Sequence, residues 1–480
     1  MALPELIEIV PLSKPVRAEI TVPGSKSITN RALILAALAD GEVTLTGALW
    51  SEDTQIMVEC LQKLGFEIRV ENDTAEFCNR TITVKGLGGK IPNAGTAEKP
   101  LELFVGNAGT AARFLSAFVC LGDGVYRLSG VARMHERPQA ALFSALRELG
   151  YHVESENGND KLPVVISHRD TENTEEKKSG SVSSASLWQN KCKVSIEKSS
   201  QFASALLLCA KIGNWEVEVV GENAEESPYV AMTLKLMKAF PKNGGTFQIE
   251  LDASSGSYFL GVGWLIYKEL SLDALSNVFE NPKLELQQKH KELLKLRSQQ
   301  NQILVKEWPD SDLQIDSDFA IFVRAKNGGI SIEISRSKDL GDSIMTAITL
   351  APFNTQPVKF TSLGRLRVQE TERVVALRTE LTKCGAKVVE EGDTLTVWPS
   401  PLHGAEIETY NDHRMAMCFA VLGLKVPGIK IKNPACVKKT FPNFFQKLAA
   451  PPPHGLGAEI WEIKNGQRTR KLSGEDLFAD

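Results

Sequence analysis

Six segments of the chain share one pattern: each opens with a short polar or charged turn and continues as an apolar stretch rich in small residues. These segments begin at Lys26, Asn107, Ser199, Ala253, Gly341 and Asn411. Helices that are apolar nearly all round lie inside a domain rather than on its surface. The pattern therefore predicts several buried helices, which restricts the possible folds more than any other feature of the sequence.

Between these segments lie stretches of a second kind, in which an amphipathic helix, a glycine-containing stop and an alternating strand follow one another. Examples are Glu52–Val70, Arg137–Ser155 and Glu370–Glu391. The chain thus alternates buried helix, exposed helix and strands about six times. This alternation indicates an α/β fold with internal duplication.

The length of 480 residues exceeds what one hydrophobic core usually serves, so two domains are expected. Two segments interrupt the alternation and are predicted to be surface insertions, the Ser-rich stretch 170–190 and the charged, helix-forming stretch 282–300. The run PPPHGLG after Ala450 and the polar residues beyond it predict a loose C-terminal extension.

The formal net charge of −4 gives no bulk electrostatic basis for binding nucleic acid or an anionic membrane. The eight cysteines are scattered without a CxxC motif, which favours free thiols in a reducing compartment over disulfides or a zinc site. The N-terminal residues lack the features of a secretory signal, and no apolar run approaches the ~20 residues of a membrane span. The expected location is the cytoplasm.

Several of the predicted buried helices have positively charged residues in or near their first turn. Lys26 and Arg31 lie in or beside the first turn of the first helix, Arg113 near the start of the second, and Arg414 at the start of the last. A helix N-terminus is already an anion site, because its first N–H groups are unpaired and the helix dipole is positive there. If several such N-termini face one cleft, that cleft attracts anions although the whole chain is acidic.

The same residues also have simpler interpretations. The run GSKS at 24–27 resembles a phosphate loop but lacks the adjacent Gly-Lys of a Walker A motif, which disfavours a P-loop nucleotidase. A lone lysine at a helix start is more often a solvated charge than a ligand group, and His413 alone is more often structural than catalytic.

Two further groups of arginines lie outside the buried helices. Arg133 and Arg137 surround one turn, and Arg365, Arg367 and Arg373 lie close together in another stretch. Surface salt bridges could explain both groups. Phosphorylated or carboxylated ligands would also need several arginines, because bidentate guanidinium contacts hold such anions best.

Eight blocks of sequence follow one another between Pro23 and Phe445 and cover nearly all of the chain. They are PGSKSITNRA, LFVGNAGTAARFL, RMHERP, SSQFASALL, DASSGSYFL, RVQETERV, TYNDHRMAM and KKTFPNFF. In this order they closely resemble the EPSP synthase (enolpyruvylshikimate-phosphate synthase) family of the shikimate pathway.

The resemblance implies the inside-out α/β fold of enolpyruvyl transferases, in which each of two domains has three βαβαββ units around buried parallel helices. It places the N-terminal domain at 25–250 and the C-terminal domain at 251–450 together with 1–24, and it leaves 451–480 as an extension.

The resemblance also implies a reaction. The enolpyruvyl group of phosphoenolpyruvate (PEP) would be transferred to the 5-hydroxyl of shikimate 3-phosphate, with release of phosphate, in the biosynthesis of chorismate and the aromatic amino acids. The family uses no metal and no organic cofactor. The two substrates are the only partners expected, and the chain is expected to be a monomer.

The site residues that the resemblance implies fall into three groups. Catalysis would involve Lys26, which touches both substrates, and the acid–base pair Asp342 and Glu370. Shikimate 3-phosphate would be held by Ser27, Arg31, Ser199, Ser200, Gln201, Ser227, Asp342 and Gln369. PEP would be surrounded by Asn107, Gly109, Thr110, Arg133, Arg373, Arg414 and Lys439. Two carboxyl groups in different environments can give and take protons in one reaction at neutral pH.

Three positions depart from the family pattern. The family usually has Lys where this chain has Gln369, and many members have Asn where it has Arg365. Arg365 is therefore predicted to return the missing positive charge. The family also usually has Ser at the position of Glu226. Either Ser227, one place later, takes over its role, or Glu226 points away from the substrate phosphate.

Two alternatives to this function remain. The sister transferase acting on UDP-N-acetylglucosamine relies on a Lys-Asn pair, where this chain has Lys26-Ser27, and on a loop cysteine that VARMHERP lacks. A catalytically inactive anion-binding relative would fit the departures at Gln369 and Glu226. It is disfavoured by the joint presence of Lys26, Asp342, Glu370, Arg414 and Lys439.

Overall fold

The computed structural model of the chain describes residues 3–14, 16–168, 190–221, 227–279, 288, 302–324 and 332–479. The two predicted insertions lie outside the described residues, apart from Asn190 and Gln288, and so does Glu226.

The helices of the described residues are named in chain order. They are α1 (Lys26–Leu38), α2 (Glu52–Lys63), α3 (Gly109–Phe118), α4 (Ala132–Glu136), α5 (Ala140–Glu148), α6 (Gln201–Gly213), α7 (Pro228–Ala239), α8 (Ala253–Phe279), α9 (Phe319–Arg324), α10 (Ile344–Leu350), α11 (Arg373–Lys383), α12 (His413–Gly423) and α13 (Phe444–Ala449). Each of the six predicted buried segments contains one of these helices.

The strands are named in the same way. They are β1 (Leu6–Ile9), β2 (Arg17–Ile20), β3 (Asp40–Leu49), β4 (Ile68–Asn72), β5 (Asn79–Leu87), β6 (Leu101–Phe104), β7 (Tyr126–Ser129), β8 (His152–Ser155), β9 (Val164–Ser167), β10 (Lys191–Ser195), β11 (Glu216–Val220), β12 (Gly245–Gln248), β13 (Gln302–Val305), β14 (Glu333–Ser335), β15 (Val358–Thr361), β16 (Val388–Glu391), β17 (Thr394–Val397), β18 (Glu406–Ile407), β19 (Ile429–Lys432), β20 (Ile460–Lys464) and β21 (Gln467–Lys471).

The chain divides into two compact units. Unit 1 contains the residues up to Pro23, the short segment Glu76–Cys78 and the residues from Leu251 onward, and unit 2 contains Gly24–Ala75 and Asn79–Glu250. The first division falls one residue earlier than the boundary taken from the sequence. The segment Glu76–Cys78, placed by the sequence in the N-terminal domain, belongs to unit 1, where the Glu76 carboxylate accepts a hydrogen bond from Asn443 Nδ2 at 2.7 Å.

Unit 2 contains two four-stranded sheets with the same arrangement and one parallel pair. In the sheets β6-β7-β9-β8 and β12-β3-β5-β4 the first two strands are parallel, and each later strand is antiparallel to its neighbour. The pair β10-β11 is parallel, with α6 between its strands in the sequence. Each parallel pair thus needs a helical crossover, and α3 and α6 supply two of them.

Unit 1 repeats this arrangement. The sheet β14-β15-β17-β16 has the same order of parallel and antiparallel pairs, with α10 as the crossover. A second sheet has the order β18-β19-β1-β20-β21, and β13 pairs with β2 in parallel. Recurrence of one βαβαββ pattern in both units agrees with the internal duplication predicted from the sequence.

The crossover helices lie in the interior, as their composition predicts. All residues of α3, α10 and α12 are buried. Such helices have no side that can carry exposed polar residues. Their charged side chains, Arg113 of α3 and Arg414 of α12, lie toward the N-terminal ends, and hydroxyl groups such as those of Ser116 and Thr349 are buried further along. Several candidate site residues lie at these N-terminal ends.

The expectation of a loose C-terminal extension is wrong. Strand β20 pairs antiparallel with β1, with Ile460 opposite Ile9, and β21 pairs with β20. Leu472 and Leu477 are buried. In this sheet β1 has the position that β17 has in the sheet β14-β15-β17-β16, and β20 has the position of β16. The C-terminal residues therefore complete the last βαβαββ unit of the chain.

None of the helices within the described residues has the length and apolar composition needed to span a lipid bilayer. The eight cysteines are free and buried.

Candidate active site

In unit 2, Lys26 is the first residue of α1 and lies against an acidic side chain that the sequence did not indicate. Its Nζ is 3.0 Å from Asp53 Oδ2 on α2, and the two side chains are 18% and 3% exposed. Ser27 beside it is partly buried. The ammonium group is therefore held in place while part of it stays accessible.

Arg31, predicted to hold shikimate 3-phosphate, points into the interior of unit 2. Its guanidinium donates hydrogen bonds to Thr233 Oγ1 at 2.8 Å, to Ser204 Oγ at 3.1 Å and to the Ser27 carbonyl at 2.8 Å. It is 2% exposed, and this burial lowers the pKa of Arg31 to about 10. In this arrangement Arg31 connects α1, α6 and α7, and its contact with a ligand stays a prediction.

The turn before α3 is organised by buried arginines. Arg137 Nη1 donates to the Asn107 carbonyl at 3.1 Å, and Arg113 Nη2 donates to the Pro138 carbonyl at 3.0 Å. A side chain at Gly109 would collide with both guanidinium groups. Only glycine therefore fits at this position without moving a buried cation.

Thr110 and Gln201, predicted for different substrates, are hydrogen-bonded to each other. Gln201 Nε2 donates to Thr110 Oγ1 at 3.1 Å, which joins the first turns of α3 and α6. Arg133 differs from its neighbours in the sequence: it lies on the short helix α4, is 38% exposed and pairs with Glu136 at 2.6 Å. Among the arginines of this motif the buried one is Arg137.

The remaining candidates of unit 2 lie at two further helix starts. Ser199 Oγ accepts a hydrogen bond from the Gln201 backbone N–H at 3.2 Å, and Ser200 is buried at the N-cap of α6. Ser227 is the N-cap of α7, is buried, and its hydroxyl has no hydrogen-bond partner among the described residues. Helix N-termini with free hydroxyl donors suit a phosphate ligand.

In unit 1, Asp342 lies between two arginines just before α10. Arg336 Nη2 is 2.7 Å from Oδ1 and Arg414 Nη2 is 3.2 Å from Oδ2, and the Asp342 side chain is 17% exposed. Burial disfavours its charged form, but the positive charges of Arg414, Arg336 and Arg373 outweigh burial and hold the pKa of Asp342 well below its usual range. Asp342 is therefore a carboxylate at neutral pH.

This ionisation makes a testable contribution to stability. Because the pKa of Asp342 is lower in the folded state than in the unfolded chain, the contribution is complete above the unfolded value of about 3.9 and is lost as the pH falls through the folded value. The difference in thermal unfolding midpoint between wild type and Asp342→Asn should therefore shrink below about pH 4. A difference that stays constant between pH 7 and pH 3 would argue against the ion pairs.

Glu370, the second carboxyl of the predicted acid–base pair, also lies between two cations. Arg373 Nη2 is 2.9 Å from Oε2 and Lys439 Nζ is 3.2 Å from Oε1. Arg373 is itself fixed by Asp412, whose two oxygens lie 2.7 and 3.1 Å from the guanidinium nitrogens. Gln369 accepts a hydrogen bond from the same guanidinium.

Asp412 also orders the start of α12. Its side chain caps the helix by accepting a hydrogen bond from the Arg414 backbone N–H at 2.9 Å, while Arg414 Nη1 donates to Ser254 Oγ at 2.7 Å. One continuous network of ion pairs therefore forms in unit 1, and we call it the unit 1 cluster. Its members are Arg336, Asp342, Glu370, Arg373, Asp412, Arg414 and Lys439.

The sequence missed three members of these networks for different reasons. Asp53 follows Glu52 in an ordinary helix start, and Arg336 stands in the charged stretch SRSKD, so neither had a distinguishing pattern. Asp412 did have a signal, because it lies two residues before the singled-out Arg414 at a helix N-cap position.

The fold is that of the enolpyruvyl transferases. EPSP synthase from Acinetobacter baumannii superimposes with a TM-score of 0.60 at 20% identity, covering 95% of this chain and 100% of that one. The enolpyruvyl transferase NikO from Streptomyces tendae gives a TM-score of 0.57 at 14% identity, covering 95% and 98%. The predicted fold class is thereby confirmed.

Within that class the chain belongs to the EPSP synthase (3-phosphoshikimate 1-carboxyvinyltransferase) family, whose sequence model matches residues 10–448. A 3-phosphoshikimate 1-carboxyvinyltransferase of Nostoc punctiforme is 36% identical over 468 residues, covering 92% of this chain and 98% of the relative. The enzyme of the same name from Opitutus terrae is 36% identical over 479 residues, covering 94% and 98%. The family predicted from the eight sequence blocks is confirmed, and its members are transferases.

Proposed function

We propose that the chain transfers the enolpyruvyl group of PEP to the 5-hydroxyl of shikimate 3-phosphate, releasing phosphate, as a step of aromatic amino acid biosynthesis. The observation that carries the proposal is the pair of carboxyl groups in the unit 1 cluster. Asp342 and Glu370 are each held between two cations, so both have fixed positions and electrostatic environments of their own.

The reaction needs three proton movements, two that remove a proton from the substrates and one that adds a proton. The 5-hydroxyl loses a proton as its oxygen bonds to C2 of PEP, and the PEP methylene gains one, which gives a tetrahedral ketal. A proton then leaves the new methyl group as the C2–O bond to phosphate breaks. These movements suit positioned carboxyl groups.

Asp342 is the better candidate for accepting the hydroxyl proton, because the arginines keep it ionised. In the free protein these arginines also make it a weak base. When Arg414 turns its charge toward the PEP anion, the pKa of Asp342 rises and its basicity increases. Substrate binding thus prepares the base.

Glu370 is then the group that exchanges a proton with the methylene carbon. Its partners Arg373 and Lys439 carry positive charge that stabilises the phosphate as it departs. In unit 2, Lys26 and the helix starts at Ser200 and Ser227 supply the polar groups proposed to hold shikimate 3-phosphate.

Phosphate release should require PEP and shikimate 3-phosphate together and should persist in EDTA, because the side-chain cations of the chain supply the positive charge for phosphate departure. The measurement is a colorimetric phosphate assay in which each substrate is omitted in turn. The control replaces shikimate 3-phosphate with UDP-N-acetylglucosamine, which should yield no phosphate. Loss of activity in EDTA that a divalent metal restores, or release with the control substrate, would contradict the proposal.

The proposal includes a cytoplasmic location and a monomeric state, with the two small anions as partners. The acidic net charge and the lack of a basic stretch support the exclusion of nucleic acid from the partners.

A further inference from the structure

Arg336 is a buried cation in unit 1 that no part of the family pattern indicated. It follows β14 directly, and its backbone N–H donates to the Thr361 carbonyl at 3.1 Å, which fixes it beside the end of β15. The residue is 6% exposed, and its guanidinium is directed at Asp342 Oδ1 at 2.7 Å. Its position is therefore set by the pairing of two strands and not by a flexible loop.

The other two arginines of the unit 1 cluster already have several partners. Arg373 contacts Asp412, Gln369 and Glu370, and Arg414 contacts both Ser254 and Asp342. Arg336 has one carboxylate partner, and its buried Nε–H has no hydrogen-bond partner among the described residues. A buried unpaired donor on a cation is costly unless a ligand satisfies it.

The charge balance around Asp342 depends on this cation. Four cations, Arg336, Arg373, Arg414 and Lys439, oppose the carboxyl groups of Asp342, Glu370 and Asp412. Two more carboxyl groups, those of Asp252 and Asp316, also attract the charge of Arg414. Without Arg336 the cluster would fall from four cations against three carboxyl groups to three against three, which weakens its attraction for an anionic substrate.

Gln369 cannot supply the missing charge. It is neutral, and its side-chain oxygen is engaged by Arg373. The resemblance to the EPSP synthase family leads to a lysine at this position, so one positive charge has to come from elsewhere in the chain. The sequence suggested Arg365, whereas in the structure it is Arg336 that lies against the proposed base.

We propose that Arg336 is a substrate-binding residue, which replaces the lysine charge absent at Gln369 and donates hydrogen bonds to hydroxyl oxygens of shikimate 3-phosphate next to Asp342. The inference rests on the proposed function. A hydroxyl that gives its proton to Asp342 must approach that carboxylate within hydrogen-bond distance. The Arg336 guanidinium lies 2.7 Å from the same carboxylate, so it is also within reach of the hydroxyl groups on the ring of shikimate 3-phosphate.

The test is calorimetric titration of the full chain with shikimate 3-phosphate, followed by steady-state kinetics. Arg336→Gln should raise the Kd roughly 10- to 150-fold, the effect of losing a charge-assisted hydrogen bond. Arg336→Lys keeps the charge without the planar fork and should bind with intermediate affinity. In Arg336→Gln/Gln369→Lys the charge returns to the position where the family has it, so most of the lost affinity should return.

The matched control is Arg378→Gln, because Arg378 is a half-exposed arginine that also pairs with one carboxylate, that of Glu390 at 3.0 Å. Its Kd should equal that of wild type. The proposal is overturned if Arg336→Gln and Arg336→Lys both bind like wild type, or if only Arg365→Gln loses affinity. Failure of the proposed function is seen separately, as wild-type protein that neither binds shikimate 3-phosphate nor releases phosphate.

Discussion

Asp342→Asn is expected to lower kcat for phosphate release by at least ~100-fold, the scale of a lost general base. Asparagine has the shape of aspartate, but its single amide oxygen can accept from only one of Arg336 and Arg414, and it has no carboxylate to take up a proton. The KM for PEP should change much less than kcat. The measurement is initial-rate kinetics with both substrates varied.

The control for this experiment is Asp393→Asn. Asp393 pairs with Arg367 at 2.9 Å, as Asp342 pairs with arginines, but it is 60% exposed in the turn between β16 and β17. Its replacement should leave kcat unchanged. If Asp342→Asn retained near-normal turnover, Asp342 would not be the base, and the role would pass to Glu370.

Removal of residues 451–480 is expected to destabilise unit 1 severely. The deletion exposes one side of β1 and removes Ile460, Leu472 and Leu477 from the core. Loss of burial costs about 1.5–3 kcal/mol for each large apolar side chain, and whole domains are stable by only about 5–15 kcal/mol. The bidentate pair between Arg468 and Glu8 is lost as well.

A pair of point variants tests the same idea without truncation. Leu477→Ala should lower the free energy of unfolding by about 2–5 kcal/mol, whereas Glu475→Ala, two residues away on the exposed side, should change it by less than about 0.5 kcal/mol. Thermal unfolding followed by circular dichroism gives the comparison. A truncated chain that melts at the wild-type temperature would show that the tail is dispensable.

Helix starts were the part of the molecule that the sequence predicted best. The segments at Lys26 and Asn411 combine a polar turn with a long apolar run, and this local pattern is enough to specify a buried helix with a cap. The candidate residues Asp342, Glu370 and Arg414 were named through the resemblance to the EPSP synthase family. Glu370 and Arg414 stand inside two of the eight blocks, and Asp342 stands at the start of the segment that begins at Gly341.

The sequence could not predict contacts between residues that lie far apart in the chain. The Arg31 guanidinium is buried because Thr233, about 200 residues away in the sequence, accepts its hydrogen bond. Arg336 reaches Asp342 because β14 pairs with β15. The sequence around Arg336 is typical of a charged surface turn and gives no indication of this contact. The tail was misjudged because PPPHGLG indicates a break, while the partner of IWEIK is a strand at the other end of the chain.

The position of β1 has a consequence for how the chain folds during its synthesis. Unit 2 is continuous in the sequence apart from Glu76–Cys78, so it can fold as soon as residue 250 has left the ribosome. Strand β1 is made before both of its neighbours, so one of its edges stays unpaired until β19 is made and the other until β20 is made. The strand has only four residues, and such a short strand limits association with other nascent chains during this delay.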